Sequence, residues 1–251
     1  MATQTETRVA AEARKAERPP YPIGVPFKFD PDGVAQRYAG NTTICHLAPD
    51  APLRAGMRKV YDAVRTHPTL ASKIRLVPQA SWHMTVFDGV REFECESGMW
   101  PVGLAKRPLP ESTADFSRRL RAFGLQLESE GLAPPYRMKV LGFDPAMVGI
   151  GLHVQGATPE EEKRMRRLRD RLGDVLGFRA PNHDVYPFHI TVAYLLRYVE
   201  GDDRVELNRM LGSLLPEIQM EFELGPVEFC TFETMLEYPR LFYLGEAETS
   251  L

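Results

Sequence analysis

Ser81-Trp82-His83-Met84-Thr85-Val86-Phe87 and Tyr186-Pro187-Phe188-His189-Ile190-Thr191-Val192 carry the deciding pattern of this 251-residue chain. In a β-strand, residues i and i+2 share a face. His83 and Thr85 therefore project together, as do His189 and Thr191. The opposite faces hold Trp82, Met84 and Val86 in one strand and Phe188, Ile190 and Val192 in the other. Each strand is predicted to bury an apolar face and to present a polar His/Thr pair.

Composition gives about a third of one His-x-Thr match by chance. The chain has three, and the third, His67-Pro68-Thr69, lacks an alternating apolar frame and sits at a predicted helix end. The other two close similar segments. Thr42 to Leu47 reads as a strand, followed by a helix that starts near Asp50, with Leu53, Met57, Val60, Tyr61 and Val64 at helical spacing. His67-Pro68 ends that helix before the first motif strand. In the second segment, Val148 to Val154 reads as a strand. Thr158-Pro159-Glu160-Glu161 looks like a capping box, and Met165, Leu168, Leu172 and Val175 form an apolar stripe.

His46 precedes His83 by 37 residues and His153 precedes His189 by 36. This is a degenerate strand–helix–strand repeat, and it predicts duplicated halves of one α+β domain about a pseudo-two-fold axis. Between the halves, Asp88 to Glu111 shows no period and reads as a long loop. It continues the His83 strand, so it is expected to cover or rim the cleft. Ser112 and Asp115 are expected to cap a helix carrying Phe116, Leu120, Phe123 and Leu127. Tyr136 to Leu141 reads as a strand. A shorter helix is expected near Val205 to Leu215, then strands at Gln219 to Leu224, Val227 to Thr234 and Leu241 to Leu244. Residues 1–31 read as a flexible N-terminal arm, and 32–251 as a single bilobal domain.

Two His/Thr pairs facing one cleft suit phosphoryl chemistry. One neutral imidazole can take a proton from an attacking hydroxyl or water. The other, as imidazolium, can protonate the leaving oxygen. Threonine hydroxyls can donate to the non-bridging phosphate oxygens as charge builds there. The scheme needs no cofactor. With no His-Glu-x-x-His or close His/Asp cluster, no metal site is expected.

The motifs resemble those of the two-histidine (2H) phosphoesterase superfamily, also called LigT-like or cyclic phosphodiesterase-like. They read His83-Met84-Thr85-Val86 and His189-Ile190-Thr191-Val192, each with the hydrophobic fourth residue of that superfamily. The framing segments GNTTICHL, SWHMTVFDGV and YPFHITVAY look like a bacterial and fungal branch of it. The resemblance spans roughly Thr42 to Leu244. It implies a bilobal α+β fold, two antiparallel sheets lining a central cleft with helices outside. It also implies phosphodiester chemistry at a cyclic phosphate, a 2′-5′ linkage or an RNA 3′ end, with His83, Thr85, His189 and Thr191 catalytic. The long 88–111 loop departs from the compact family core, so substrate size does not carry over. A nucleotide- or RNA-end-binding module without turnover, and a ligase-type activity at an RNA 2′-5′ junction, are the alternatives.

Tyr186, Tyr38 and Trp100 are candidate base-stacking residues, and Arg197 a candidate phosphate contact. For Tyr186, Tyr38 and Trp100, packing is the competing reading. His46 and His153 read as strand histidines with local hydrogen bonds, His183 as a turn residue, and the basic run Lys163 to Arg171 as a solvated helix face. The net charge of −3 disfavours duplex DNA as a partner and fits a small nucleotide or RNA terminus. Three cysteines without C-x-x-C spacing suit a cytoplasmic protein. No apolar run suggests a membrane partner, and nothing in the sequence marks an obligate protein partner.

Overall fold

A computed structural model describes residues 18–97 and 107–246. The first half contains β1 (Gly40–His46), α1 (Leu53–Thr66), β2 (Ile74–Leu76) and β3 (His83–Arg91). Two helices follow, α2 (Glu92–Ser97) and α3 (Leu109–Gly124). The second half contains β4 (Tyr136–Phe143), β5 (Gly149–Gly156), α4 (Pro159–Leu176) and β6 (Phe188–Leu195). The chain ends with α5 (Gly201–Ile218), β7 (Glu221–Leu224), β8 (Glu228–Phe232) and β9 (Arg240–Tyr243). The repeat is present as β1-α1-β3 and β5-α4-β6.

The strands run β7-β4-β5-β6-β3-β1-β8-β9, with β2 added beside β6. Both lobes are antiparallel, and they join through one pair, Met84↔Ile190, between β3 and β6. The two expected sheets are thus one curled surface with a seam at its centre. The lobes also exchange segments. β2, from the first half of the chain, pairs with β6, and C-terminal β8 pairs with β1.

The apolar faces pack as their alternation predicts. Trp82, Met84, Val86, Phe188, Ile190 and Val192 are all 0% exposed. α1 buries Leu53, Met57, Val60 and Val64 and packs against α5. Gly56 allows this approach, because an added Cβ would lie 2.0 Å from the Glu217 carbonyl oxygen. α4 begins at the expected cap, where Thr158 Oγ accepts from Glu161 N at 3.2 Å, and ends at Gly177 with φ +83°.

Four expectations are corrected. The 88–111 stretch is not one loop. β3 continues to Arg91, with the Val90 N–H held by Asn41 Oδ1 at 3.1 Å where the β1 register shifts. α2 follows, with Glu94 accepting from Arg91 N at 2.9 Å. α3 starts at Leu109, so Ser112 and Asp115 lie inside it rather than capping it. Asp115 pairs with Arg118 and Arg119 one turn on. α5 spans 18 residues, because Leu207, Met210, Leu211 and Ile218 all find apolar neighbours.

The fourth correction concerns the arm. Its described part, residues 18–31, packs against the domain. Val25 and Phe29 are buried in a second apolar cluster with Leu196, Phe232 and Met235. Tyr198 Oη donates to Tyr21 O at 2.7 Å and Arg197 Nη1 to Pro31 O at 2.6 Å. The segment is held because these contacts bury its aromatic residues, which local pattern does not reveal.

Candidate functional site

The seam fixes the site. In antiparallel pairing, the residues flanking Met84↔Ile190 set His83 beside Thr191 and Thr85 beside His189. All four side chains line one cavity of about 610 Å³. The two histidines and the two threonines predicted from the motifs are therefore brought together.

Both imidazoles are anchored alike. His83 Nδ1–H donates to Ser81 O at 2.6 Å, and His189 Nδ1–H donates to Pro187 O at 3.1 Å. Each carbonyl belongs to the residue two positions earlier in the chain. A carbonyl only accepts, so Nδ1 carries the proton and Nε2 is the nitrogen left for chemistry. Burial pushes the His83 pKa down to about 4, helped by the nearby His46 and His189 and opposed by the Ser81 carbonyl and Glu228. Its ring meets Tyr238 edge-on at 4.2 Å.

The threonines have matched partners as well. Tyr186 and Tyr194 lie against Thr85 and Thr191, whose hydroxyls favour the ionised phenols, while Tyr194 Oη donates to Met235 Sδ at 3.7 Å. Burial raises both phenol pKa values, that of Tyr194 to about 12, so each phenol keeps its proton.

Around this quartet the cavity has two walls. One is formed by Lys28, Tyr38, Tyr194, Phe232 and Tyr238. Lys28 lies 4.8 Å over the Tyr194 ring and 5.6 Å over the Tyr38 ring. Burial first, then the neighbouring Arg91, lowers its pKa to about 8. The other wall includes Arg169, Arg179, Asn182 and Tyr186. Asp88, Gly89, Arg91 and Glu94 lie on the rim, so the described start of the 88–111 stretch borders the cleft as expected.

The remaining candidates divide. Tyr38 and Tyr186 line the cavity, although Tyr186 is buried. Trp100 lies outside the described residues. Arg197 is not in the cavity wall, a correction to its expected role. It holds Pro31 and stacks on Tyr21 at 4.9 Å, spending its guanidinium on the N-terminal segment. His46 pairs with His83 across the strands, and its Nδ1 bonds Glu228 at 2.9 Å. His153 pairs with His189 in the same way. His183 is buried in a turn with Nε2 2.8 Å from Asp170. Among the described residues, two triads have ligand atoms close enough for one metal ion, His46–Glu228–Cys230 and Asp170–His183–Asp184. Neither contains a motif histidine.

Sequence reasoning missed Lys28, Arg91, Arg169 and Tyr238. Arg169 alone left a usable signal. Met165, Leu168, Arg169 and Leu172 follow the i, i+3, i+4, i+7 spacing of a buried helix face. The basic run around it is otherwise a surface, with Arg166 paired to Glu162 and Arg171 to Glu130.

Residues 28–148, which include the first motif, match the family model described as "2H-phosphodiest: Domain of unknown function (DUF1868)". The second motif, outside that match, faces the first across the seam. Over residues 28–148 the chain is similar to the two-histidine phosphoesterases. A solved structure of a conserved protein of unknown function from Agrobacterium tumefaciens str. C58 is similar over 91% of this chain and 95% of its own, at 28% identity and a TM-score of 0.75. TT0787 of Thermus thermophilus covers 82% of this chain and 97% of its own, at 15% identity and a TM-score of 0.48. E. coli LigT in its apo form covers 82% and 96%, at 10% identity and a TM-score of 0.44. No curated protein matches the chain. Among the described residues, no helix is long and apolar enough to cross a membrane.

Proposed function

We propose that this chain is a metal-independent phosphodiesterase acting on a cyclic phosphate, a 2′-5′ linkage or an RNA 3′ end. The observation that carries the reading is the paired anchoring of His83 and His189. Each ring is fixed through Nδ1 to a backbone carbonyl, and both line the same cavity. With its pKa near 4, His83 is neutral at ordinary pH and is the general base. His189, as imidazolium, is the general acid.

The substrates of the simplest such step are a cyclic phosphate and water. His83 Nε2 takes a proton from water while the water oxygen bonds to phosphorus. The bond from phosphorus to one ribose oxygen breaks, and His189 Nε2 gives that oxygen its proton. Thr85 and Thr191 donate to the non-bridging oxygens, where negative charge grows. The cycle closes when His83 releases its proton and His189 regains one from solvent. Two imidazoles supply both proton transfers, so no step requires a metal.

The first wall supports a nucleotide substrate. Tyr38, Tyr194 and Tyr238 offer aromatic faces to an unpaired base, and Lys28 offers charge to its phosphates. A small nucleotide or RNA terminus in a cytoplasmic setting fits these groups and the buried free thiols of Cys45 and Cys230. The test is a screen of 2′,3′-cyclic nucleotides, 2′-5′ dinucleotides and short RNAs, with product phosphates mapped. Turnover by the intact chain, lost in a folded H83A/H189A variant, supports the reading. Tight binding without turnover would replace it with a nucleotide-binding module. Joining of RNA ends without hydrolysis would replace it with a ligase-type activity.

A further inference from the structure

Arg169 is a cavity cation that the proposed reaction leaves unused. It projects from α4 and is only 2% exposed, yet it lines the cavity. Nη1 donates to the Val86 carbonyl of β3. Nε is buried without a partner, and Nη2 has no acceptor among the described residues. No carboxylate of the described residues pairs with it, whereas Arg179 on the same wall is neutralised by Asp174 at 2.7 Å. The guanidinium stacks on Tyr186 at 3.9 Å and lies 5.6 Å from the Phe87 ring.

A buried guanidinium without a counterion is costly, and stacking on rings relieves only part of that cost. Its N–H donors remain underused in a fork that matches the oxygens of a phosphate. Tyr186 lies between it and the quartet, since that ring carries Arg169 at 3.9 Å and its hydroxyl interacts with Thr85. The position is therefore adjacent to the reacting phosphate but distinct from it.

We propose that Arg169 anchors a second phosphate of the substrate, one that is not broken in the reaction. The substrate class is then a nucleotide or RNA end carrying a phosphate beyond the scissile one. This rests on the phosphodiesterase reading of the same cavity. The second phosphate supplies the missing counterion, and the nucleoside between the two phosphates occupies the room the quartet leaves.

Binding without turnover tests this separately from catalysis. Adenosine 2′,3′-cyclic phosphate and its 5′-phosphorylated counterpart are titrated calorimetrically into the folded H83A/H189A double variant. The 5′-phosphorylated compound is expected to bind roughly tenfold more tightly or better. Adding R169Q should remove that preference while leaving the affinity for the simpler compound within about threefold. R169K keeps the charge without the fork and should retain part of the preference, which covers failure of R169Q to fold. Equal affinities in the double variant, or no binding of either compound, overturn the proposal. So does an R169Q variant that weakens both compounds equally, since Arg169 would then hold the scissile phosphate. If the preference appears while the intact chain turns over none of the cyclic nucleotides, 2′-5′ dinucleotides and short RNAs of the screen, the phosphodiesterase reading fails and the anion site stands.

Discussion

Met84 pairs with Ile190 across the seam between the lobes, and both side chains are fully buried. Because sides alternate along a strand, burying this pair turns His83, Thr85, His189 and Thr191 to the cavity face. The apolar pair and the polar quartet are two sides of one constraint. A one-residue slip of either strand would exchange them.

The quartet therefore has a graded signature. His83→Ala or His189→Ala should each cut turnover by roughly 10²–10⁴-fold, since each removes one proton-transfer partner. Thr85→Ala and Thr191→Ala should cost less, and Thr→Ser least, because the hydroxyl remains. Steady-state rates on the substrate found by the screen check the order. Full activity in the folded double-histidine variant would end the two-histidine mechanism.

His83 sets the acid limb of the rate profile. Its pKa in the free protein is lowered to about 4, so the base form is lost only as pH falls through about 4. kcat/KM should therefore rise from about pH 3.5 to about 5, as one limb of a bell-shaped profile. An acid limb centred near 6.5 would place His83 in an ordinary solvated environment.

The same shift links stability to pH. The unfolded chain protonates this histidine below about 6.5, whereas the folded chain resists until about 4. The contribution of His83 to stability is thus fully present above about 6.5 and is lost as pH falls toward about 4. Urea midpoints, compared at neutral pH and at about pH 5.5 and 4.5, should drop more for the intact chain than for H83Q. Parallel curves would contradict the burial of the ring.

Chelators should leave turnover unchanged, because the two proton transfers and the hydroxyl contacts are all supplied by side chains. Rates before and after dialysis against EDTA check this. Loss that one divalent ion restores would direct attention to the His46–Glu228–Cys230 triad beside His83.

Gly56 reports on the scaffold rather than the site. An added Cβ would overlap the Glu217 carbonyl oxygen, so Gly56→Ala must push α1 away from α5. A loss of about 1–3 kcal/mol in unfolding free energy is expected. An unchanged urea midpoint would mean that the two helices do not pack this closely in solution.

Alternation made much of the site legible in the sequence. Trp82, Met84 and Val86 were readable as core and His83 and Thr85 as its polar obverse, because the strand period of two follows from backbone geometry alone. The Thr158 cap and the apolar stripe of α4 were readable for the same local reason. The lengths of β3 and α5 were not. Val90 is held by Asn41 from another strand, and α5 is extended by burial against α1.

By itself, the sequence determined the strand faces, the duplicated strand–helix–strand plan and the identity of the quartet. These follow from periodicities within a few residues. Tertiary structure alone decided that Met84 meets Ile190, that Lys28 and Tyr238 reach the cavity, and that Arg197 is spent on Pro31. It also decided that Arg169 is buried where its neighbours Arg166 and Arg171 pair at the surface. The physical reason is separation along the chain. A residue's burial and partners, and hence its pKa, depend on elements that only the folded packing brings against it.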